Sequence, residues 1–481
     1  MAINLYDEQY YPYTVRHFTH PARMGVVARL YGRDAAPFEK CRVLEVGGGD
    51  GINLVSMALA APDSEFVNFD LAESTIEQGR RLVEATGVRN VRQEVMNLMD
   101  VPDSWGEFDY IIAHGVYAWT PPAVREGLMS LCSRLLSPRG VAMVSYNALP
   151  GCHFRRAVRD IAWRAARGHE GPVARVAAAR EAIGFHAARW SRDATRQAAM
   201  LEEAERMQKK PDGVLFHDEL CDEWNPQYVS DVAAAARAKG LDFLGDMQQA
   251  AISGALFPEQ IHLDAIARSG GDFAAREQAL DFVEGRLFRE TLLCRAGAPV
   301  DPRFDPARLA DLYVDGWLDE RPGKDGARVF RTATGGDLST RDARFGEALA
   351  RIAAAWPRAL PLRDLAPDDD SREALARLFV NGALGLSTAP FPCASAPGER
   401  PRAGKLARVQ AAAGIGDVAS LRHTQARIDE NSRRFLTLLD GTRTLPELAM
   451  QMAGPGGDMI DALGSVQTAL GQFVHAALIE A

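Results

Sequence analysis

No run of eighteen uncharged apolar residues occurs in the 481 of this chain, and its start, MAINLYDEQYYPYTVRHF, lacks a basic stretch followed by an apolar core. Membrane insertion and export are therefore not expected, and a cytoplasmic protein is. The six cysteines, Cys41, Cys132, Cys152, Cys221, Cys294 and Cys393, form no C-x-x-C pair. That excludes a zinc-knuckle pattern and a disulfide framework and leaves reduced core thiols. No grouping of His, Cys and carboxylates has metal-ligand spacing, so no metal is expected. A surplus of positive charge is also missing: the formal net charge is −9, and residues 397–481 carry nine basic and nine acidic residues. Phosphate backbones are repelled rather than attracted, and nucleic acid is not expected as a partner.

What is present suffices for two or three globular domains, with 47% hydrophobic and 25% charged residues. From Cys41 to Asn147, short β-rich runs (RVLEV, EFVNF, NVRQEV, FDYIIA, GVAMVSY) alternate with amphipathic helical stretches (STIEQGRRLVEATG, AVREGLMSLCSRLL). Alternation of this kind builds a parallel sheet covered by helices on both faces. The pattern predicts an N-terminal lid segment over 1–36, a cofactor-binding core over 37–150 and a helical insertion over 151–225. The core is completed over 226–298, with a helix in NPQYVSDVAAAARAKG, a stop at Gly240, a strand from Leu241 to Leu244 and a last strand in RLFRETLLCRAG. A mixed module over 299–390, a proline-, alanine- and serine-rich linker over 391–405 and a final module over 406–481 follow.

The densest chemical signal is CRVLEVGGGDG, residues 41–51. The third glycine of a dinucleotide fingerprint would fall three residues after Gly49, where Ile52 stands, so a pyrophosphate-binding loop is not matched. A ligand without a pyrophosphate needs only a tight turn and an open backbone. S-adenosylmethionine (SAM) is such a ligand, and glycine supplies both the space and the freedom in φ. The next strand ends in Asp70, where a carboxylate can accept both ribose hydroxyl hydrogens, with Leu71 beside it. After the third strand stand Asn97 and Leu98, with Asp100 as a substitute acid three residues on, and His114 closes the fourth strand as a cofactor wall.

Glu45, Gly47, Gly49 and Gly51 resemble the E-x-G-x-G-x-G signature of class I SAM-dependent methyltransferases. Rarer stretches narrow the resemblance: YYPY…FTHPARM, HGVYAWTPP, VSYNALPG, FHDELCDEWNPQYV, FRETLLCR and LDGTRTLPEL. They look like the methyltransferases that carry a methyltransferase regulatory domain, the rickettsial-type protein lysine methyltransferases. The resemblance spans nearly the whole chain. It implies an α/β fold, a Rossmann-like methyltransferase sheet with a helical insertion, followed by small winged-helix-like C-terminal modules at 299–390 and 406–481. It implies SAM as cofactor, with the glycine loop lining the methionine moiety, and a protein or peptide as substrate, with a lysine side-chain amine as acceptor. A tailoring methyltransferase of a ribosomally made peptide, or one for a carboxylate or small-molecule acceptor, is the alternative. A homodimer is left open. YTVRHFTHP departs from the family's entry segment by placing Arg16 and His17 there.

Methyl transfer from a sulfonium is an in-line displacement, so the acceptor's lone pair must be held near the methyl carbon with water excluded. Aromatic walls that desolvate an amine suit that task. The candidates are Tyr117 and Trp119 after the fourth strand, Tyr146 and Asn147 after the fifth, and Tyr10, Tyr11 or Tyr13 from the lid, with His17 as a less predictable one.

Overall fold

The computed structural model describes residue 9 and residues 11–297, 300–453 and 458–481. Tyr10 lies outside them. Seven strands form the central sheet: β1 (Arg42–Val46), β2 (Glu65–Asp70), β3 (Val91–Val95), β4 (Phe108–Ala113), β5 (Leu136–Asn147), β6 (Leu241–Asp246) and β7 (Phe288–Arg295). Their order is β3-β2-β1-β4-β5-β7-β6. Neighbours from β3 to β5 run parallel, and β7 is antiparallel to both β5 and β6. Alternating side chains of β1 explain why both faces need cover: Val43 joins one apolar cluster, Leu44 and Val46 the other.

Helices α1 (Pro21–Leu30), α2 (Ile52–Ala60), α3 (Glu73–Thr86) and α4 (Pro122–Leu135) belong to this core. Gly87, at φ +68°, ends α3 in the left-handed conformation that favours glycine. The chain order reverses between β1 and β4, and an open α/β sheet leaves a crevice for a ligand at the carboxyl ends on either side of that point.

Four helices follow β5: α5 (Cys152–Ala166), α6 (Pro172–Ala187), α7 (Thr195–Gln208) and α8 (Asp212–Glu219). They bury their own cluster, including Val158, Ile183, Met207 and Phe216. The helix Val229–Arg237 and β6 return the chain to the sheet, with Gly240 at φ +76° between them. Past β7, a three-stranded antiparallel sheet built on Arg328–Thr332 and the helices Ala343–Ala355 and Asp369–Val380 make a mixed module. The C-terminal module combines the helices Lys405–Ala412, Glu430–Leu438, Leu445–Ala453 and Met459–His475 with a small hairpin, Asp417–Ala419 and Gln425–Arg427.

Two expectations change. The segment 1–36 is not a lid throughout, because α1 is core: Met24, Val26, Val27, Ala28 and Leu30 are all buried. Its apolar residues fill more than one helix face, which is the pattern of a helix enclosed on all sides. Residues 391–405 are not a free linker either. Phe391, Cys393 and Ala403 are buried, and Cys393 and Ala403 make bridges to Glu480 and Ile479. The prolines there reflect extended chain laid against the last module, not flexibility.

Candidate functional site

A cavity of about 630 Å³ opens over the carboxyl ends of β1, β2, β4 and β5. The loop after β1 supplies its floor. Gly47 N–H donates to Phe69 O at 2.9 Å, which ties the loop to β2. Gly49 N–H donates to Asp70 Oδ2 at 3.0 Å, while Ala72 N–H donates to Asp70 Oδ1 at 2.9 Å. Each oxygen of Asp70 thus accepts a backbone bond that fixes the carboxylate at the strand end, on the cavity wall.

Only Gly47 and Gly48 of the glycine run line the cavity. Gly49 and Gly51 serve close packing by the protein itself. Both have positive φ, +57° and +67°, and a Cβ at Gly49 would overlap the Tyr13 ring while one at Gly51 would overlap the Gln93 carboxamide. Glu45 is buried beneath the loop. Its Oε1 accepts from Asn53 Nδ2 at 2.7 Å, and its Oε2 has no hydrogen-bond partner. Burial pushes its pKa up to about 8 against the pull of that bond.

Leu71, Asn97 and Leu98 line the side beyond β2 and β3, joined by Met99. Leu71 and Met99 are 62% and 53% exposed, so the cavity offers apolar surface that no protein atom covers. Asn97 Oδ1 accepts the Met99 N–H at 3.0 Å as a helix cap. Asp100 is exposed and not on the cavity wall. His114 lines the opposite side, with Nδ1 2.9 Å from Ser145 Oγ and its ring against Phe18 and Phe288. Burial, then the nearby Arg16 charge, lowers its pKa to about 3, so the imidazole stays neutral.

Tyr13, Trp119 and Asn147 reach the cavity; Tyr117, Tyr146 and His17 do not. Tyr146 is fully buried with its hydroxyl 2.9 Å from Thr291 Oγ1, and Tyr117 packs on it at 6.0 Å between centroids. Side-chain alternation on β5 turns Tyr146 into the core while Asn147 faces the opening. His17 is exposed on a single helical turn, His17–Thr19, and is not on the cavity wall.

Several wall residues were not among the candidates that the sequence singled out. Arg16 comes from the N-terminal segment, and Arg155, His217 and Asp218 come from the helical insertion. Arg155 Nη2 donates to Glu219 Oε1 at 2.7 Å, and Lys210 Nζ bridges Glu219 Oε1 at 2.7 Å and Asp218 Oδ2 at 2.9 Å. Burial works to raise Glu219, but Arg155 and Lys210 outweigh it and hold the carboxyl at about 2. Trp224 connects this network to the sheet: Arg155 stacks over its ring at 5.3 Å, and its Nε1–H donates to Asn147 Oδ1 at 3.0 Å. The available signal was the run FHDELCDEW, whose charges and aromatics are too dense for a plain surface helix. Among the described residues, no group of three or more His, Cys, Asp or Glu is placed to hold a metal ion, and no helix is long and apolar enough to cross a membrane.

Sheet order, the bare loop after β1 and the acid ending β2 together define a Rossmann-like methyltransferase fold. Residues 43–140 match the model of a methyltransferase domain, residues 211–295 that of a "predicted methyltransferase regulatory domain", and residues 399–455 that of "PKMT, C-terminal winged helix domain". The chain carries these three domains in one polypeptide, the combination that its motifs implied. Among solved structures, PKMT2 from Rickettsia typhi superimposes with a TM-score of 0.84 at 22% identity, over 98% of this chain and 100% of that one. PKMT2 in complex with AdoHcy gives the same TM-score over 98% and 99%. At this identity the likeness establishes the fold. Among curated proteins, an uncharacterised protein of Rickettsia prowazekii (strain Madrid E) is 33% identical over 297 residues, 60% of this chain and 52% of its own length. A second from the same strain is 35% identical over 157 residues, 32% of this chain and 62% of its own length. The chain thus spans between about half and two thirds of the curated relatives it matches.

Proposed function

We propose that this chain is a SAM-dependent methyltransferase whose cofactor lies in the cavity above β1 and β2, and whose acceptor is a lysine side-chain amine of a protein or peptide. The observation that carries the reading is the fit of that cavity. It joins an open glycine backbone, a strand-end carboxylate fixed by backbone bonds, a buried carboxylate oxygen with no partner and uncovered apolar side chains. A nucleoside carrying an amino acid demands that set.

In this reading Gly47 and Gly48 face the methionine end, Asp70 accepts from the ribose hydroxyls, and Leu71, Leu98 and Met99 flank the adenine with the Asn97 amide at its edge. Arg16 is the cation on hand for the cofactor's carboxylate. The bound cofactor supplies an electrophilic methyl group. The residues of the chain do the rest. Tyr11, Trp119 and Phe288 exclude water around an entering side chain, which lowers the pKa of an amine and frees its lone pair. Burial first, then Asp218, raises Tyr11 to about 12, so its phenol stays protonated and its oxygen can accept from an amine. Asp218, held by Lys210, gives a cationic side chain a reason to enter. The likeness to PKMT2 of Rickettsia typhi and the match of residues 399–455 to a PKMT C-terminal winged helix model support this choice of acceptor.

Isothermal titration with SAM and AdoHcy tests the cofactor, with micromolar binding expected and none overturning it. Incubation with isotopically labelled SAM and candidate proteins, followed by mass-spectrometric mapping, tests the acceptor. Label on lysines is expected; label on carboxylates or on a small peptide product favours the tailoring reading.

A further inference from the structure

Asn53, on the first turn of α2, has every valence of its carboxamide filled. Its Nδ2 donates to Glu45 Oε1 at 2.7 Å and to Thr19 Oγ1 at 3.0 Å. Its Oδ1 accepts the Arg16 backbone N–H at 2.9 Å and lies 2.8 Å from His423 Nε2. A backbone N–H can only donate, so this end of the amide is the oxygen and Nε2 carries the hydrogen. Nδ1 of the same ring, 3.0 Å from Ser56 Oγ, is then the acceptor. The four groups joined by this one amide are the acid under the glycine loop, the N-terminal segment over the cavity, a core threonine and a histidine from a distant module.

His423 belongs to the turn of the hairpin Asp417–Ala419 and Gln425–Arg427, within the segment matched by the C-terminal winged helix model. It is 1% exposed and sits at φ +58°, a conformation that a non-glycine residue keeps only where its surroundings over-determine it. Its neighbour Arg422 points the other way. Arg422 Nη1 donates to Pro357 O at 2.9 Å, its guanidinium pairs with Asp315, and it stacks 4.6 Å from the Trp356 ring. Adjacent residues of one turn therefore bond α2 and the mixed module, and the ring of His423 is further packed against His20 at 5.2 Å. Such a turn joins three parts of the molecule at one point.

We propose that His423 is a positioning residue for the cofactor site: by holding Asn53 it sets Glu45 under the glycine loop and the Arg16 segment over the cavity, so tight cofactor binding requires the C-terminal hairpin to be docked. The proposal rests on the cavity being the SAM site. Coupling of this kind is reciprocal, so cofactor binding must also steady the hairpin.

The test compares full-length His423→Phe and His423→Gln with the unsubstituted protein, titrating AdoHcy calorimetrically and recording melting temperatures alongside. Phenylalanine keeps the ring and removes both hydrogen bonds; glutamine restores a donor for Asn53 Oδ1. Loss of the donor removes one of the bonds that hold Asn53 Oδ1 in place, so His423→Phe is expected to raise the AdoHcy Kd about tenfold while His423→Gln stays within about threefold. A purely structural histidine would lower both melting temperatures and leave both Kd values where they were. Where the phenylalanine chain does not fold, hydrogen exchange of the unsubstituted protein decides: AdoHcy is expected to slow exchange across residues 417–427 as well as in the glycine loop. Unchanged affinity in His423→Phe, or unchanged hairpin exchange, overturns the coupling alone. Failure of the unsubstituted protein to bind AdoHcy overturns the reading of the cavity, and the coupling with it.

Discussion

Along the cavity floor, Glu45, Gly47, Gly48 and Asp70 come from two adjacent strand ends, whereas along the wall Arg16, Trp119, Arg155 and Asp218 come from four separate segments. The floor is held by backbone bonds, such as the two that Asp70 accepts from Gly49 and Ala72. The wall is held by side-chain charge pairs, with Glu219 taking both Arg155 and Lys210. A floor of that sort is preorganised by the sheet and suits a cofactor of fixed shape. A wall assembled from a lid segment and an inserted helical unit can differ between proteins without touching the sheet.

If floor and wall are separable in this way, a floor substitution should remove cofactor binding outright. In Gly49→Arg the new Cβ overlaps the Tyr13 ring at a φ of +57°. The overlap and the left-handed strain each cost on the order of 1–3 kcal/mol, so calorimetry should find AdoHcy affinity reduced about 100-fold or more. Retained affinity would mean that the loop is not the floor. The wall should respond in the opposite sense. Arg155→Met leaves Glu219 with Lys210 as its remaining cation, and chemical denaturation should register a loss of about 3 kcal/mol, the low end for breaking a buried pair. AdoHcy affinity should stay within about twofold, because the change makes no contact with the loop or with Asp70. A large rise in Kd would erase the distinction. Asp70→Ala is the intermediate case. It deletes a charged acceptor and frees two backbone N–H groups, which should raise the AdoHcy Kd by about 10- to 100-fold.

The same division decides what the sequence could tell. The five strand runs, the helices between them and the stop at Gly240 are local patterns, and each stands within a few residues of where its periodicity put it. Asp70 and the glycine loop are legible because the chemistry is contiguous. Tyr117 and Tyr146 are as close to strand ends in sequence as Trp119 and Asn147, and only side-chain direction separates the pair in the core from the pair on the cavity wall. Arg155, His217 and Asp218 could not be read from spacing, since their meeting depends on how four inserted helices pack back on the sheet. His423 is further still from any local signal: its partners Asn53 and Ser56 lie more than 360 positions away in the chain.

Glu45 gives the finest test of how tightly the floor is built. Burial is the main cause of its raised pKa, about 8, against an ordinary carboxyl value of 4.5 in the unfolded chain. Between those two values the folded state holds a proton that the unfolded state has lost. Stability from this group therefore falls as pH rises from 4.5 towards 8 and levels off above it. Glutamine mimics the protonated form and cannot ionise. Melting curves of the unsubstituted protein and Glu45→Gln should thus lie close together near pH 5 and separate by a few degrees near pH 8, with the glutamine chain the more stable. A bound cation reverses the sign. SAM brings a sulfonium and an ammonium to a cavity whose floor contains the partnerless Glu45 Oε2, so the ionised carboxylate gains and binding releases a proton. Calorimetry near pH 7 in buffers of different ionisation enthalpy should detect that release in the unsubstituted protein and not in Glu45→Gln. Equal proton release in both would place the titrating group elsewhere and leave Glu45 as a packing residue beneath the loop.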